Sequence, residues 1–255
     1  MNEQVPATTP GASDATFNPN GNSCPAGAGV EWWTKAWPLF TAQAGMWIAV
    51  IVVTFVIFLV VGIIPAVGQL VLFLFSPVVA GGLMLGAREV DRGAGLTVGH
   101  IFAGFSNQMG QLVLVGVLYL AGMVVVAVVV GLIGGIGIGT LIGASGGANP
   151  AAMGAAGASG LLLAILIALA LMLPLYMAMW FAPALVVFHE LSAVDAMKAS
   201  FSGCLKNIVP FILYGLVGLV LAIVASIPFG LGWLVLGPVA IGSVYVGYRD
   251  IFLAS

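Results

Sequence analysis

Apolar residues in this chain fall into two kinds of pattern, and the alternation between them predicts its elements. In the first kind they run on without a charge for the length of a long helix, at about Met46 to Ile64, Gln69 to Ala87, Gln111 to past Ile133, Leu161 to Phe188, Ile208 to Ile227 and Leu231 to Tyr248. A helix needs roughly 20 apolar residues to cross a hydrocarbon layer about 30 Å thick, so each run predicts a membrane span, six in all. Pro65-Ala66-Val67-Gly68 and Pro228-Phe229-Gly230 are short enough to turn one span straight back into the next. The third and fourth spans are joined instead by a Gly/Ala-rich loop at about 144–160, which carries no charge.

In the second kind, apolar residues recur at helical spacing with polar ones between them, the mark of an amphipathic helix. Val30, Trp33, Trp37 and Phe40 form one such face, with Glu31, Thr34, Lys35 and Thr41 on or near the other. Val98, Ile101, Phe102, Phe105 and Met109 form a second, and Val194, Met197, Phe201, Cys204, Leu205 and Ile208 a third. Trp32, Trp33, Lys35, Trp37, Phe105 and Phe201 are therefore read as interfacial anchors, because aromatic and cationic side chains beside a span belong in the headgroup layer. Thr97 is a candidate N-cap, Leu96 and Ile101 a hydrophobic staple, and Ser192 with Asp195 a helix-start box. Pro38 is expected to bend or end the first of these helices.

Superposing the three faces on Val30, Val98 and Val194 puts an aromatic residue seven positions on, at Trp37, Phe105 and Phe201, and an amide thirteen positions on, at Gln43, Gln111 and Asn207. Each unit also closes on a basic-then-acidic pair: Arg88-Glu89, His189-Glu190 and Arg249-Asp250. Arg88 follows Pro77 by the same interval as Arg249 follows Pro238, since 88 − 77 and 249 − 238 are both 11. The predicted fold class is thus an all-α membrane protein, six transmembrane helices in three hairpins, each preceded by a short amphipathic interfacial helix. The order recurs over about 30–93, 94–190 and 191–255, a pseudo-threefold repeat within one domain, 30–255.

Composition fixes the class: 62% of residues are hydrophobic and 5% charged, where a soluble domain carries about 25% charged residues. The lipid bilayer is the first partner implied, and another membrane protein a candidate second. A net charge of −2 with no basic patch leaves nothing for a nucleic acid to bind. Lys35, Arg88, Arg92, Lys198, Lys206 and Arg249 all fall on the side that holds the N-terminus, so the positive-inside rule places both termini in the cytoplasm. Residues 1–29, rich in Pro, Gly, Ser, Thr and Asn, are expected to be a disordered cytoplasmic tail without a secretory signal. Cys24 and Cys204 show no metal or redox spacing.

Two constellations are candidate sites. Arg88, Glu89, His189, Glu190, Arg249 and Asp250 could ring one face and bind an anion, a metal or a partner; as anchors that fix topology they need no ligand, and this second reading is preferred because adjacent helical residues project apart. Prolines interrupt the even-numbered spans, and breaks at matching positions of a repeat point to a central cavity, here bounded by Ser76, Pro77, Pro174, Tyr176, Pro238 and Ser243. Kinks that serve packing alone are the competing explanation, and the Ser76 hydroxyl is the candidate to satisfy the carbonyl that Pro77 frees. Glycines at 131, 135, 139, 143 and 147 would let two helices approach closely. No ionisable residue falls in mid-span, which disfavours coupled transport. No nucleophile–base pair or catalytic carboxylate pair occurs, so neither enzyme chemistry nor a cofactor or metal is expected.

The stretches Trp32-Trp33-Thr34-Lys35-Ala36-Trp37, Ser76 to Gly93, His100 to Phe105 and Gly237-Pro238-Val239 together resemble a family of uncharacterised, mainly proteobacterial, six-span membrane proteins. The resemblance spans about Gly29 to Phe252 and implies residence in the bacterial cytoplasmic (inner) membrane, with no activity and no functional residue. The reading reached is a non-enzymatic scaffold, assembly or accessory component of that membrane. The alternative is a passive channel or facilitator for a small neutral solute.

Overall fold

The computed structural model describes residues 16–144 and 150–253, with side chains described except at 135–158 and 161. Helices follow one another almost without interruption: α1 Ala28–Ala42, α2 Ala44–Gly62, α3 Val67–Asp91, a 3-10 turn Val98–Phe102 running into α4 Ala103–Ser106, α5 Met109–Ala144, α6 Pro150–Trp180, α7 Ala182–His189, α8 Ala193–Lys206, α9 Ile208–Ser226 and α10 Trp233–Phe252. Among the described residues there is no strand, only an isolated antiparallel bridge between Phe17 and Leu253.

Among the described residues, five segments are long and apolar enough to cross a membrane: Ala44–Gly62, Val67–Asp91, Met109–Gly134, Leu162–His189 and Ile208–Ser226. The expected sixth, α10, is not among them, because Gly, Ser and Tyr dilute its apolar residues and Arg249 and Asp250 lie in its last turns. The most apolar stretches of α2, α5 and α9 are only 11%, 11% and 17% buried, against 56% for α3. The bundle is therefore apolar outside as well as inside, as a protein solvated by hydrocarbon must be.

Three expectations need correction. The loop expected at 144–160 is helical from Pro150 onward: Pro150 suits the first turn of a helix, where no amide partner is needed, and alanines propagate it. Residues 145–149, and glycines 135, 139, 143 and 147 of the expected ladder, lie outside the residues or side chains described. Pro38 sits inside α1 and does not end it. Of the tail expected to be disordered, residues 1–15 lie outside the described part, but the stretch from Phe17 to Pro25 is tied down. The backbone N–H groups of Asn18 and Asn22 donate to the Phe252 and Ile251 carbonyls at 2.8 and 2.7 Å, and Lys206 Nζ donates to the Gly21 carbonyl at 3.1 Å. A polar segment orders here because it satisfies carbonyls left over at the end of α10.

Packing follows a cyclic order. The amphipathic segments each lie against the helix that precedes them in the ring: the 3-10 turn and α4 on α3, α8 on α6 and α7, and α1 on α10. Equivalent small residues, Ala36, Gly104 and Ser200, are buried at those contacts. Gly104 is needed as glycine, since a Cβ there would collide with the Val78 carbonyl oxygen. Ser200 works differently: its hydroxyl accepts the Phe181 backbone N–H at 2.9 Å and donates to the Met177 carbonyl at 2.7 Å. Residues 177 and 181 are four apart, so the hydroxyl stands in for the helical bond where α6 breaks into α7.

The three aligned amides close the same cycle. Gln43 Oε1 accepts the backbone N–H of Leu96 at 2.6 Å, Gln111 Oε1 that of Ala193 at 2.8 Å, and Asn207 Oδ1 that of Cys24 at 2.7 Å. Each amide thus holds the entry to the next amphipathic helix, and the last returns to the first. Val78, Phe181, Leu185, Val186, Ile251 and Phe252 are fully buried in the hydrophobic core.

A charged cavity where four helices converge

Because α3, α7 and α10 meet at their C-terminal ends, the charges that close them are gathered around one cavity of about 850 Å³. From α3 come Arg88, Asp91 and Arg92; from α7, Phe188 and His189; from α10, Tyr245, Tyr248, Arg249 and Asp250. Glu31 and Lys35 of α1 and the lead-in Asn22–Pro25 complete the wall. Its volume is that of a small-molecule site.

Most of these charges are spent on one another. Arg249 Nη1 lies 2.5 Å from Asp91 Oδ2, an oxygen that also accepts the Tyr245 hydroxyl at 3.0 Å. Lys35 Nζ bridges Glu31 at 2.9 Å and Asp250 at 3.6 Å, and its bond to Glu31 is the main reason its pKa is raised. Asp250 in turn accepts the Trp32 indole N–H at 3.0 Å. His189 Nε2 is 2.6 Å from the Tyr248 hydroxyl, and its ring stacks on Phe17 with centroids 3.6 Å apart. Burial, reinforced by Asp250, pushes the Cys24 thiol up to about 11.

Arg88 and Arg92 are the exceptions. Their closest carboxylate oxygen is the same one, Glu89 Oε1, at 3.9 Å from Arg88 Nε and 3.9 Å from Arg92 Nη1. That is an ion pair by charge but too long for a hydrogen bond. The Arg88 guanidinium lies 4.7 Å above the Phe188 ring, and its Nε is buried with no hydrogen-bond partner among the described residues.

The structure therefore brings Arg88, His189, Arg249 and Asp250 into one cavity, while Glu89 stands off its wall and Glu190, at φ 54°, ends α7 away from it. The anchor set divides. Trp32 and Trp33 are buried, packed on Tyr214 and Phe211, with Trp33 Nε1 donating to the Tyr214 carbonyl at 3.1 Å, so the helix turns this pair toward α9 and α10 and not outward. Lys35 faces the charged cavity. Trp37 and Phe105 are exposed, and Phe201 is half-buried. The residues proposed to bound a central cavity are not brought together. Ser76 borders a separate, wholly apolar cavity of about 270 Å³, and its hydroxyl donates to Phe73, the carbonyl that Pro77 frees. Tyr176 is exposed and Pro174 lies within α6. Pro238 and Ser243 are buried in α10, Ser243 sharing a 2.8 Å hydrogen bond with the Tyr214 hydroxyl.

Asp91, Arg92, Tyr245 and Tyr248 escaped the sequence reading, although a signal existed. Arg88, Asp91 and Arg92 are spaced i, i+3, i+4, as are Tyr245, Tyr248 and Arg249, and that spacing puts each trio on one helix face. No family model, curated protein or solved structure matches this chain.

Proposed function

We propose that this is a multi-pass membrane protein of six spans, α10 being the sixth, built from three hairpin units around a pseudo-threefold axis, and that it serves as a scaffold, assembly or accessory component without catalysing a reaction. The observation that carries this reading is the apolar packing of the core: Val78, Phe181, Leu185, Val186, Ile251 and Phe252 are fully buried, and the Ser243 hydroxyl is satisfied within the protein. A facilitator would need polar groups in series along a path, and Ser76, Tyr176 and Ser243 face three different surroundings. The cyclic amide bonds support the threefold unit. The concentration of Lys and Arg at one end supports a cytoplasmic placement of both termini in a bacterial inner membrane.

What remains for partners is the apolar exterior and the exposed Trp37, Phe102 and Phe105 on the amphipathic segments. The test pairs two measurements on the full chain. Crosslinking and mass spectrometry after purification in mild detergent are expected to recover a stoichiometric membrane protein, and the recovery is expected to fall in a Trp37→Ala, Phe105→Ala variant. Proteoliposomes shrunk in hyperosmotic glycerol are expected to re-swell at the protein-free rate. Accelerated glycerol entry would replace this reading with the facilitator.

A further inference from the structure

We propose that the charged cavity binds a phosphate-bearing anion between Arg88 and Arg92. The inference goes beyond the scaffold reading and does not depend on it, since a bound anion is compatible with a scaffold and with a facilitator alike. Three observations carry it. First, the cations of the cavity are unequally matched: Arg249 has Asp91, and Lys35 has Glu31 and Asp250, whereas Arg88 and Arg92 share one Glu89 oxygen at 3.9 Å. Second, Arg88 lines the cavity while its Nε is buried and unpartnered, so no protein group has claimed the full donor set of its guanidinium. Third, Arg88 is held over the Phe188 ring, so its planar donor fork is oriented before any ligand arrives.

The geometry suits phosphate in particular. Arg88 Nε and Arg92 Nη1 are at most 7.8 Å apart, twice their common distance to Glu89. A tetrahedral anion offers oxygens in several directions and can accept from two forks at once, at charge-assisted distances near 2.8 Å. Glu89 is not part of the cavity wall, so an anion entering from the cavity meets the arginines before the carboxylate. The phosphate group can belong to a free phosphate compound or to the headgroup of an anionic lipid, and the recognition chemistry is the same for both.

The test follows thermal unfolding of the purified full chain in neutral maltoside by tryptophan fluorescence. One arm adds inorganic phosphate, with chloride at matched ionic strength as reference. The other adds phosphatidylglycerol, with phosphatidylcholine as reference. A shift upward with phosphate supports the site and a free source; a shift with phosphatidylglycerol alone supports the site and a lipid source. In either arm Arg92→Gln is expected to raise the half-saturating concentration about tenfold or more, the usual size for loss of a charge-assisted contact. Arg92 is suited to this because its side chain is 59% exposed, so its replacement leaves the fold intact; Arg88→Gln is the companion variant and Lys198→Gln the control. No shift in either arm, or a shift that Arg92→Gln leaves unchanged, overturns the proposal.

Discussion

Replacing Asn207 by Ala should release the N-terminal lead-in while leaving the bundle folded. Asn207 is fully buried, and its amide makes three bonds, two to the lead-in and one to α8: Oδ1 accepts the Cys24 N–H at 2.7 Å, while Nδ2 donates to the Asn22 carbonyl at 2.8 Å and the Gly203 carbonyl at 2.9 Å. The truncation strands two polar groups of the lead-in. Each stranded buried group costs about 1–3 kcal/mol, so the segment should open about 3 kcal/mol more easily, an increase of about 100-fold in its opening constant. Hydrogen exchange read by mass spectrometry on the full chain in lipid nanodiscs measures this directly. Peptides covering residues 16–27 should exchange about 100-fold faster, because the Asn18 and Asn22 amides that bond to Phe252 and Ile251 become free. Exchange in α10 should change little, which shows that the fold has survived. Gln43→Ala, which loses one accepted bond from Leu96, should accelerate its neighbourhood by only about fivefold. If exchange at 16–27 in the Asn207 variant stays within threefold of the parent, the amide is not what fixes the lead-in, and the cyclic closure loses its energetic meaning.

Other consequences can be checked with single variants. Gly29→Ala should abolish folded yield on detergent size exclusion, because a Cβ there collides with the backbone carbonyl of Pro210, whereas Gly27→Ala, with open space around it, should be silent. Ser200→Ala strands the Phe181 N–H and leaves the Met177 carbonyl with only the Cys204 thiol, at 3.6 Å, and should cost about 1–3 kcal/mol, read as a lowered midpoint in denaturant. For Cys24 the sign follows from its raised pKa: moving from 9.0 to about 11 leaves about 100-fold less thiolate at pH 8. The greater nucleophilicity of a more basic thiolate returns about tenfold, so iodoacetamide should modify Cys24 about tenfold more slowly than a free thiol, with the rate still rising above pH 9. A rate that levels off near pH 9 would show that the thiol is not shielded.

The all-helical class, the membrane character and the places where most helices start and stop were legible because hydrophobic runs and proline–glycine turns act locally. Ser76 shows this at the scale of one residue, since its bond to the carbonyl four positions before Pro77 is dictated by helix geometry alone. What was not legible depended on contacts distant in sequence. The face of α1 was misassigned because Trp32, Trp33 and Trp37 are all apolar, and periodicity cannot say which of them meets Tyr214. The ordering of Phe17 to Pro25 was missed because composition predicts disorder from the segment's own lack of apolar surface, whereas here the partners are carbonyls at the end of α10 and the Asn207 amide. The cavity was only half visible: the basic-acidic pairs were found, but adjacency made them look divergent until three helix ends converged on one point.

That convergence creates an electrostatic problem whose solution locates the binding proposal. Three helix C-termini, each with a basic residue in its last turn, bring Arg88, His189 and Arg249 to the wall of one cavity. The site answers with a different device at each position. Arg249 is neutralised by Asp91, a residue of the neighbouring helix α3. His189 is sandwiched between the Phe17 ring and the Tyr248 hydroxyl, contacts that ask for no counter-charge. Arg88 receives an aromatic face from Phe188 and a distant Glu89, shared with a second arginine. A cation–π contact compensates a guanidinium by only about 0.5–2 kcal/mol, less than a close carboxylate supplies, and it leaves the in-plane donors unused. Of the three basic residues Arg88 thus keeps the weakest counter-charge, and an incoming anion gains most there.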